Sequence, residues 1–323
     1  MRKGDKNMEN NFFTKNFRTF LIVPAVIIGL ALILTIFGVG LNAGIDFTGG
    51  SMLTYNVGED YDMSVVEAAL KTAGIDESQR FKTGSGAVRT TLEVRTKDLG
   101  DQSETLRMAF EDELEKTYPN LTFITIDTVG ATAGRDLVSN AITSCLIVFA
   151  CLLVYIAIRF DLYSGVTALV ALLHDILIMV SFMVFFRGLY QVNTSFIAAM
   201  LTIIGYSINN TIIIFDRIRE NNRLLAYKEG SRKKVVEASV RQTLARTVNT
   251  TITTLITLVV LYILGVESIK EFVFPLIVGM LAGVYSSVML SGQIWATWVD
   301  KQIFAPITNL FSKNKTAGKA KKA

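Results

Sequence analysis

The sequence predicts an α-helical polytopic membrane protein: six transmembrane helices with one small α+β domain, ferredoxin-like (βαββαβ), inserted outside the cytoplasm after the first. Three observations predict it. Hydrophobic residues make up 51% of the 323, and the mean hydropathy of +0.43 is one that soluble domains rarely reach. Only 19% of residues are Asp, Glu, Lys or Arg, and long stretches have none, as membrane spans require. Between the first and second apolar runs, residues 42–136 carry ordinary charge and the short periodicities of a folded domain.

Six runs are long enough to cross about 30 Å of hydrocarbon at 1.5 Å per residue. They are Phe20–Leu41, Leu137–Ile158, Leu162–Phe186, Gly188–Phe215, Thr247–Val266 and Phe272–Val299. The first is too long for a signal-peptide core and has no clear small-x-small cleavage site after it, so it is expected to be a permanent span.

Orientation follows from the basic flanks. Segment 1–19 holds Arg2, Lys3, Lys6, Lys15 and Arg18; loop 216–246 holds nine Lys and Arg; tail 300–323 holds six Lys. These segments share one side if both termini are cytoplasmic, which places 42–136 outside and leaves 137–299 as the rest of the bundle. The Lys-rich end of the tail, Ser312–Ala323, is expected to be a solvated positive-inside segment.

Within the outer segment, Ser51–Val57 is expected as a strand. Ser64–Ala73 has Val65, Val66, Ala69 and Leu70 at helical spacing, with Ser64 as N-cap and Glu67 closing a capping box. A short strand is expected at Arg80–Thr83 and a turn at Gly84-Ser85-Gly86. A strand follows at Ala87–Arg95, with Val88, Thr90, Leu92 and Val94 on one face. Ser103–Thr117 is an amphipathic helix burying Leu106, Phe110 and Leu114, and Leu121–Val129 is the last strand. The order is βαββαβ.

An ionisable group near the bilayer centre costs roughly 2.5–3.5 kcal/mol or more. His174 and Asp175 lie in the third run. Neighbours on a helix point about 100° apart, so the two are not expected to pair, and each needs a partner on another helix. Two readings stand: a proton or ion relay, or neutral groups bonded to nearby hydroxyls or carbonyls. In the fourth run, Ser207 and Asn210 share a face beside Asn209 and either bridge helices or line a hydrated path. The fifth opens with Arg246, then a stripe of Thr247, Thr250, Thr254 and Thr257 that either glues helices or wets a cleft. The sixth carries Gly279, Gly283, Ser287 and Ser291 at four-residue steps, a close-packing row.

Cys145 and Cys151 sit six apart in one apolar run and suggest neither disulfide nor metal site. No nucleophile–base–acid set, phosphate loop or metal cluster is present, so no enzyme, cofactor or metal is expected. Glycines 44, 49 and 50 suit tight turns where helix passes to strand. Asp216, Arg217, Arg219 and Glu220 fall at the water boundary, where they can cap or pair locally.

Several motifs together resemble one family. Gly44-Ile45-Asp46-Phe47-Thr48-Gly49-Gly50, Ala171–Asp175, Gly205–Asn209 followed by Phe215–Asn221, and Arg246–Thr251 are similar to the signatures of the SecD/SecF protein-export family, on its SecF side. The match runs from about residue 40 to 295. The resemblance implies Sec-dependent secretion, with SecD as partner. It further implies association with the SecYEG channel, YajC beside it, SecA acting indirectly, secreted preproteins as clients and no nucleic acid. It also implies an RND-like arrangement of two six-helix halves driven by an ion gradient such as the proton motive force, in the cell membrane. One position departs: the family commonly has an acidic residue where this chain has Asn210, near an Arg matching Arg246. An amide cannot carry a proton at accessible pH. Either Asp175 or a carboxylate on SecD then carries that step, or coupling is altered. The ion path or interhelical contacts fall to His174, Asp175, Ser207, Asn209, Asn210, Arg246 and Thr250, and the motif residues are Gly44, Asp46, Gly49, Gly50, Asp216 and Arg217. An RND-like half exporting lipids or small molecules, or a structural stabiliser of SecD, are the rival readings.

Overall fold

The computed structural model describes residues 12–75, 78–83, 90–96, 100–224 and 232–303. After the four-residue helix α1 (Phe12–Lys15) comes α2 (Phe17–Ile36), then the short α3 (Ile45–Thr48). The inserted domain follows as β1 (Gly50–Asn56), α4 (Met63–Thr72), β2 (Ser78–Thr83), β3 (Thr91–Thr96), α5 (Ser103–Glu115) and β4 (Thr122–Val129). The remaining elements are helical: α6 (Ala131–Arg159), α7 (Leu162–Phe185), α8 (Thr194–Leu224), α9 (Arg232–Leu264), α10 (Glu267–Tyr285), a π-helical turn (Ser286–Ser291) and α11 (Gly292–Asp300).

Among the described residues six helices are long and apolar enough to cross a membrane: α2, α6, α7, α8, α9 and the α10–π–α11 unit. Burial ranks them. The last is 67% buried over its apolar window and α7 and α8 are 50% buried, against 6–11% for the other three. The α10–π–α11 unit is therefore the bundle's axis, with α7 and α8 against it. The glycine row explains the fit. A Cβ on Gly279 would sit 2.5 Å from Met179 Sδ, and one on Gly283 would sit 3.0 Å from Ser207 Cβ.

Several edges differ from the sequence expectation. Helix α2 stops at Ile36, not Leu41, because Gly38 takes φ +85° and closes a Schellman cap, with Val39 N donating to Leu34 O and Gly38 N to Thr35 O. Pro24 inside α2 has no N–H for the Phe20 carbonyl, and Tyr285 Oη donates to that oxygen instead at 2.7 Å. Helix α8 starts at Thr194, not Gly188, because the chain before it is tied elsewhere: Val192 N donates to Asn42 O and Gly44 N to Val192 O. The expected loop 216–246 is mostly helix, since α8 runs to Leu224 and α9 begins at Arg232. The early part of α9 packs on α1, where Glu237 accepts from Phe13 N at 3.0 Å and Thr14 N at 3.2 Å.

In the inserted domain the four strands form one antiparallel sheet in the order β2-β3-β1-β4. Leu53 and Tyr55 of β1, Leu92 and Val94 of β3, Leu70 of α4, and Phe110 and Leu114 of α5 are all fully buried. The α4 cap differs from expectation. Asp62, not Ser64, is the N-cap, and its Oδ1 accepts from Ser64 N at 2.9 Å. An ionised acceptor suits the positive helix start better than a hydroxyl, so no capping box forms. The strand expected at Ala87–Arg95 is described only from Thr91. The Gly84-Ser85-Gly86 turn, Val88 and the Ser312–Ala323 tail lie outside the described residues.

A polar cluster in the bundle core

Asp175 of α7 is fully buried. Its Oδ2 accepts from Ser207 Oγ of α8 at 2.5 Å, and its Oδ1 lies 2.9 Å from His174 Nδ1. The adjacent residues do pair, contrary to the expectation from Cβ directions, because the two side chains reach around the helix to meet. His174 stacks on Tyr285 with ring centroids 6.1 Å apart, and Tyr285 in turn holds the Phe20 carbonyl. A chain of contacts thus links α2, the last span, α7 and α8 through one carboxylate. The π-turn completes the wall with Ser286, Ser287 and Ser291, all fully buried, and Ser287 Oγ lies 2.9 Å from Thr211 Oγ1 of α8. Single π-turns inside α-helices are frequent at functional sites.

The other expected residues divide. Asn210 is 1% exposed and Thr247 fully buried, yet Asn210 Nδ2 and Thr247 Oγ1 have no hydrogen-bond partner. Asn209, Arg246 and Thr250 are exposed on the outer faces of α8 and α9. Among the described residues Arg246 makes no ion pair, so it does not share the inner cluster with Asn210. The threonine hydroxyls mostly bond their own helix: Thr250 Oγ1 donates to Arg246 O and Thr254 Oγ1 to Thr250 O. Tyr206 of α8 crosses over to this stripe, reaching Thr250 O at 3.1 Å and Thr254 Oγ1 at 3.2 Å. Cys145 and Cys151 are free. No group of three or more His, Cys, Asp or Glu among the described residues could hold a metal ion.

The Gly44–Gly50 segment is a collar between domain and bundle. Asp46 Oδ2 accepts from Thr194 N at 2.8 Å, capping α8. Gly50 takes φ +142°, and a Cβ there would overlap Thr96 O of β3. Beside this collar lies a network that sequence reasoning missed. Arg95 of β3 donates to Glu271 Oε1 of α10 at 3.1 Å and also contacts Gln191. Asn193 Nδ2 donates to Glu271 Oε2 at 2.5 Å. The available sign was a carboxylate at the margin of the last apolar run. At the opposite end, Arg217 bonds Gln242 and Glu220, each at 2.6 Å, and Asp216 lies 3.8 Å from Arg159.

Fold and site together define a polytopic helical membrane protein with a carboxylate, Asp175, fully buried between its packed spans. Residues 109–301 match the family profile "Protein export membrane protein SecD/SecF, C-terminal" and residues 35–60 the "SecD/SecF GG Motif". The protein translocase subunit SecF of Sebaldella termitidis is 36% identical over 286 residues, covering 86% of each chain. That of Calditerrivibrio nitroreducens is 33% identical, covering 90% of this chain and 95% of its own. The SecDF subunit of Bacillus subtilis is 33% identical over 91% of this chain but only 38% of its own. The crystal structure of a Thermus SecDF, a translocon-associated membrane protein, superposes with TM-score 0.78 at 30% identity, covering 90% of this chain and 38% of that one. The chain belongs to the SecD/SecF family of protein-export membrane proteins.

Proposed function

We propose that this chain serves the Sec protein translocase as its SecF-type subunit, working beside SecD to draw secreted polypeptide outward on an ion gradient. The observation that carries the ion-gradient part is Asp175: fully buried, bonded by Ser207 and His174, and set against a π-turn in the axial span. A carboxylate in that setting changes its partners when it gains a proton or cation, and the packed spans around it feel the change. Asn210 cannot take this role, which leaves Asp175 as the titrating group of this half.

In this reading both termini are cytoplasmic in the inner membrane, and the inserted domain, ferredoxin-like by its strand order, stands outside. Asn209, Arg246 and Thr250 form a seam for the six spans of SecD. A full charge facing hydrocarbon needs such cover, and the relatives that carry both halves in one chain support it. SecYEG, YajC and SecA are reached through that assembly. The test is secretion in membrane vesicles with a proton or a sodium gradient applied separately. Asp175→Asn abolishes the response to the coupling ion, and Asn210→Asp changes it. An Asp175→Asn protein that secretes and responds like wild type overturns the reading. A structural stabiliser of SecD is favoured by the exposed polar face alone. It predicts that Asp175→Asn is silent while Arg246→Ala releases SecD in mild detergent.

A further inference from the structure

We propose that the basic end of the bundle holds the phosphate of an anionic phospholipid, in a recess between the α6–α7 turn, α8 and α11. The recess, of about 320 Å³, is walled by Phe160, Ser164, Arg219, Asn222, Arg223 and Trp295. A second hollow, of about 410 Å³, shares Arg219 and Arg223 with it and adds Arg159 together with Asp216 and Glu220, carboxylates that face Arg159 and Arg217.

The Phe215–Asn221 motif explains the charge there. Its side chains divide between two directions. Arg217 is satisfied by Gln242 and Glu220, and Asn221 by Ser239 and Gln242, on the α9 side. Arg219 turns the other way, donates to Arg159 O at 3.1 Å and lies 6.0 Å from the Phe160 ring, which Arg159 approaches at 5.3 Å. Among the described residues neither Arg219 nor Arg223 has a carboxylate within ion-pair distance, and Arg159 reaches Asp216 only at 3.8 Å. Asp161 also borders the recess, but its Oδ1 is occupied by Ser164 N at 2.5 Å.

Two wall residues carry buried polar atoms with no partner, Nε1 of Trp295 and Oδ1 of Asn222. Arg219 gives one N–H to the Arg159 carbonyl and keeps others, and with the unpartnered indole N–H of Trp295 these donors complement a phosphate diester, while Asn222 Oδ1 is an acceptor and takes no part. Basic pockets between spans at the membrane boundary bind lipid head groups, and indoles gather at that level. A lipid is favoured over a soluble phosphate because α6, leading to the recess, exposes Val154 (58%), Tyr155 (52%) and Ile158 (81%) as a track for acyl chains.

Native mass spectrometry of the full chain tests this, with dioleoylphosphatidylglycerol or dioleoylphosphatidylcholine titrated into a neutral detergent. The phosphatidylglycerol adduct is expected to be the tighter. Arg219→Gln with Arg223→Gln should weaken it about 30-fold, each charge carrying roughly a fivefold factor. Arg217→Gln should leave it unchanged. Trp295→Phe, a milder change that keeps the fold if the double variant does not, should weaken it several-fold. Equal binding of the two lipids, an adduct indifferent to both the arginine and the tryptophan variants, or displacement by inorganic phosphate alone overturns the proposal.

Discussion

Glu271→Ala tests whether the inserted domain and the bundle move as one body. Glu271 is 3% exposed, and its two oxygens hold Arg95 of β3 and Asn193 before α8. Removing one partner of a buried pair costs about 3–5 kcal/mol, because the other charge is left without compensation. The low end applies here. Arg95 keeps Glu93 at 3.3 Å and its contact with Gln191. A loss of about 3 kcal/mol makes local opening about 150-fold more frequent. Hydrogen exchange read by mass spectrometry on peptides covering 91–96 and 190–194 should accelerate by that order, while peptides of α7 stay unchanged. Glu271→Gln should fall between, because its amide can still accept from Arg95 but sets an NH₂ against that of Asn193, whose Oδ1 is committed to Phe196 N. Acceleration under about threefold in Glu271→Ala, or uniform acceleration over the whole chain, would refute the argument that this network joins the two parts.

Arg246→Ala should impair secretion in a depletion strain more than Asn210→Ala, and equal secretion by Arg246→Ala and wild type counts against the seam. Gly279→Ala forces a methyl against Met179 and Ile203 and should destabilise the bundle by about 1–3 kcal/mol, seen as a lower thermal midpoint in detergent. Asp46→Ala removes one of the two side-chain caps of α8, leaving Asn193 Oδ1 on Phe196 N, and should cost about 1 kcal/mol, with faster exchange confined to residues 194–197. In the inserted domain, the Arg107 guanidinium bonded to Glu104 holds that carboxyl below its usual range. Its folded pKa is depressed, so the pair's small contribution is present at neutral pH and lost as the pH falls through that lowered value. Glu104→Gln should flatten that part of the acid-unfolding profile.

The spans and the inserted domain were legible because each is written in a period that burial enforces: unbroken apolar runs for the spans, twos and threes-and-fours for the domain. The edges were not, because they depend on single caps. Gly38 ends α2 and Asp62 starts α4, and neither interrupts a hydrophobic pattern. Asp175 and Ser207 were legible as costly polar residues in apolar runs. Their meeting with His174 was not, since reasoning from Cβ directions leaves out how far an imidazole can swing. The Arg95–Glu271 link joins residues 176 positions apart, a distance no local pattern bridges. The resemblance implied an Arg at 246 near position 210, but Asn210 is buried and Arg246 exposed, a difference in helix rotation that no motif carries.

The π-turn at Ser286–Ser291 amounts to one residue more than an unbroken helix needs. The wider turn absorbs that residue, so the span's two ends keep the phase of an unbroken helix. The stretch above it turns glycines toward α7 and α8, while the stretch below turns Trp295 toward the arginines. Deleting one residue within the turn would restore a continuous helix with both ends still in phase, whereas deleting one outside it would swing everything after the deletion by about 100°. The first deletion would spare both the glycine seam and the indole wall; the second, placed between the turn and Trp295, would spare the seam and carry the indole away.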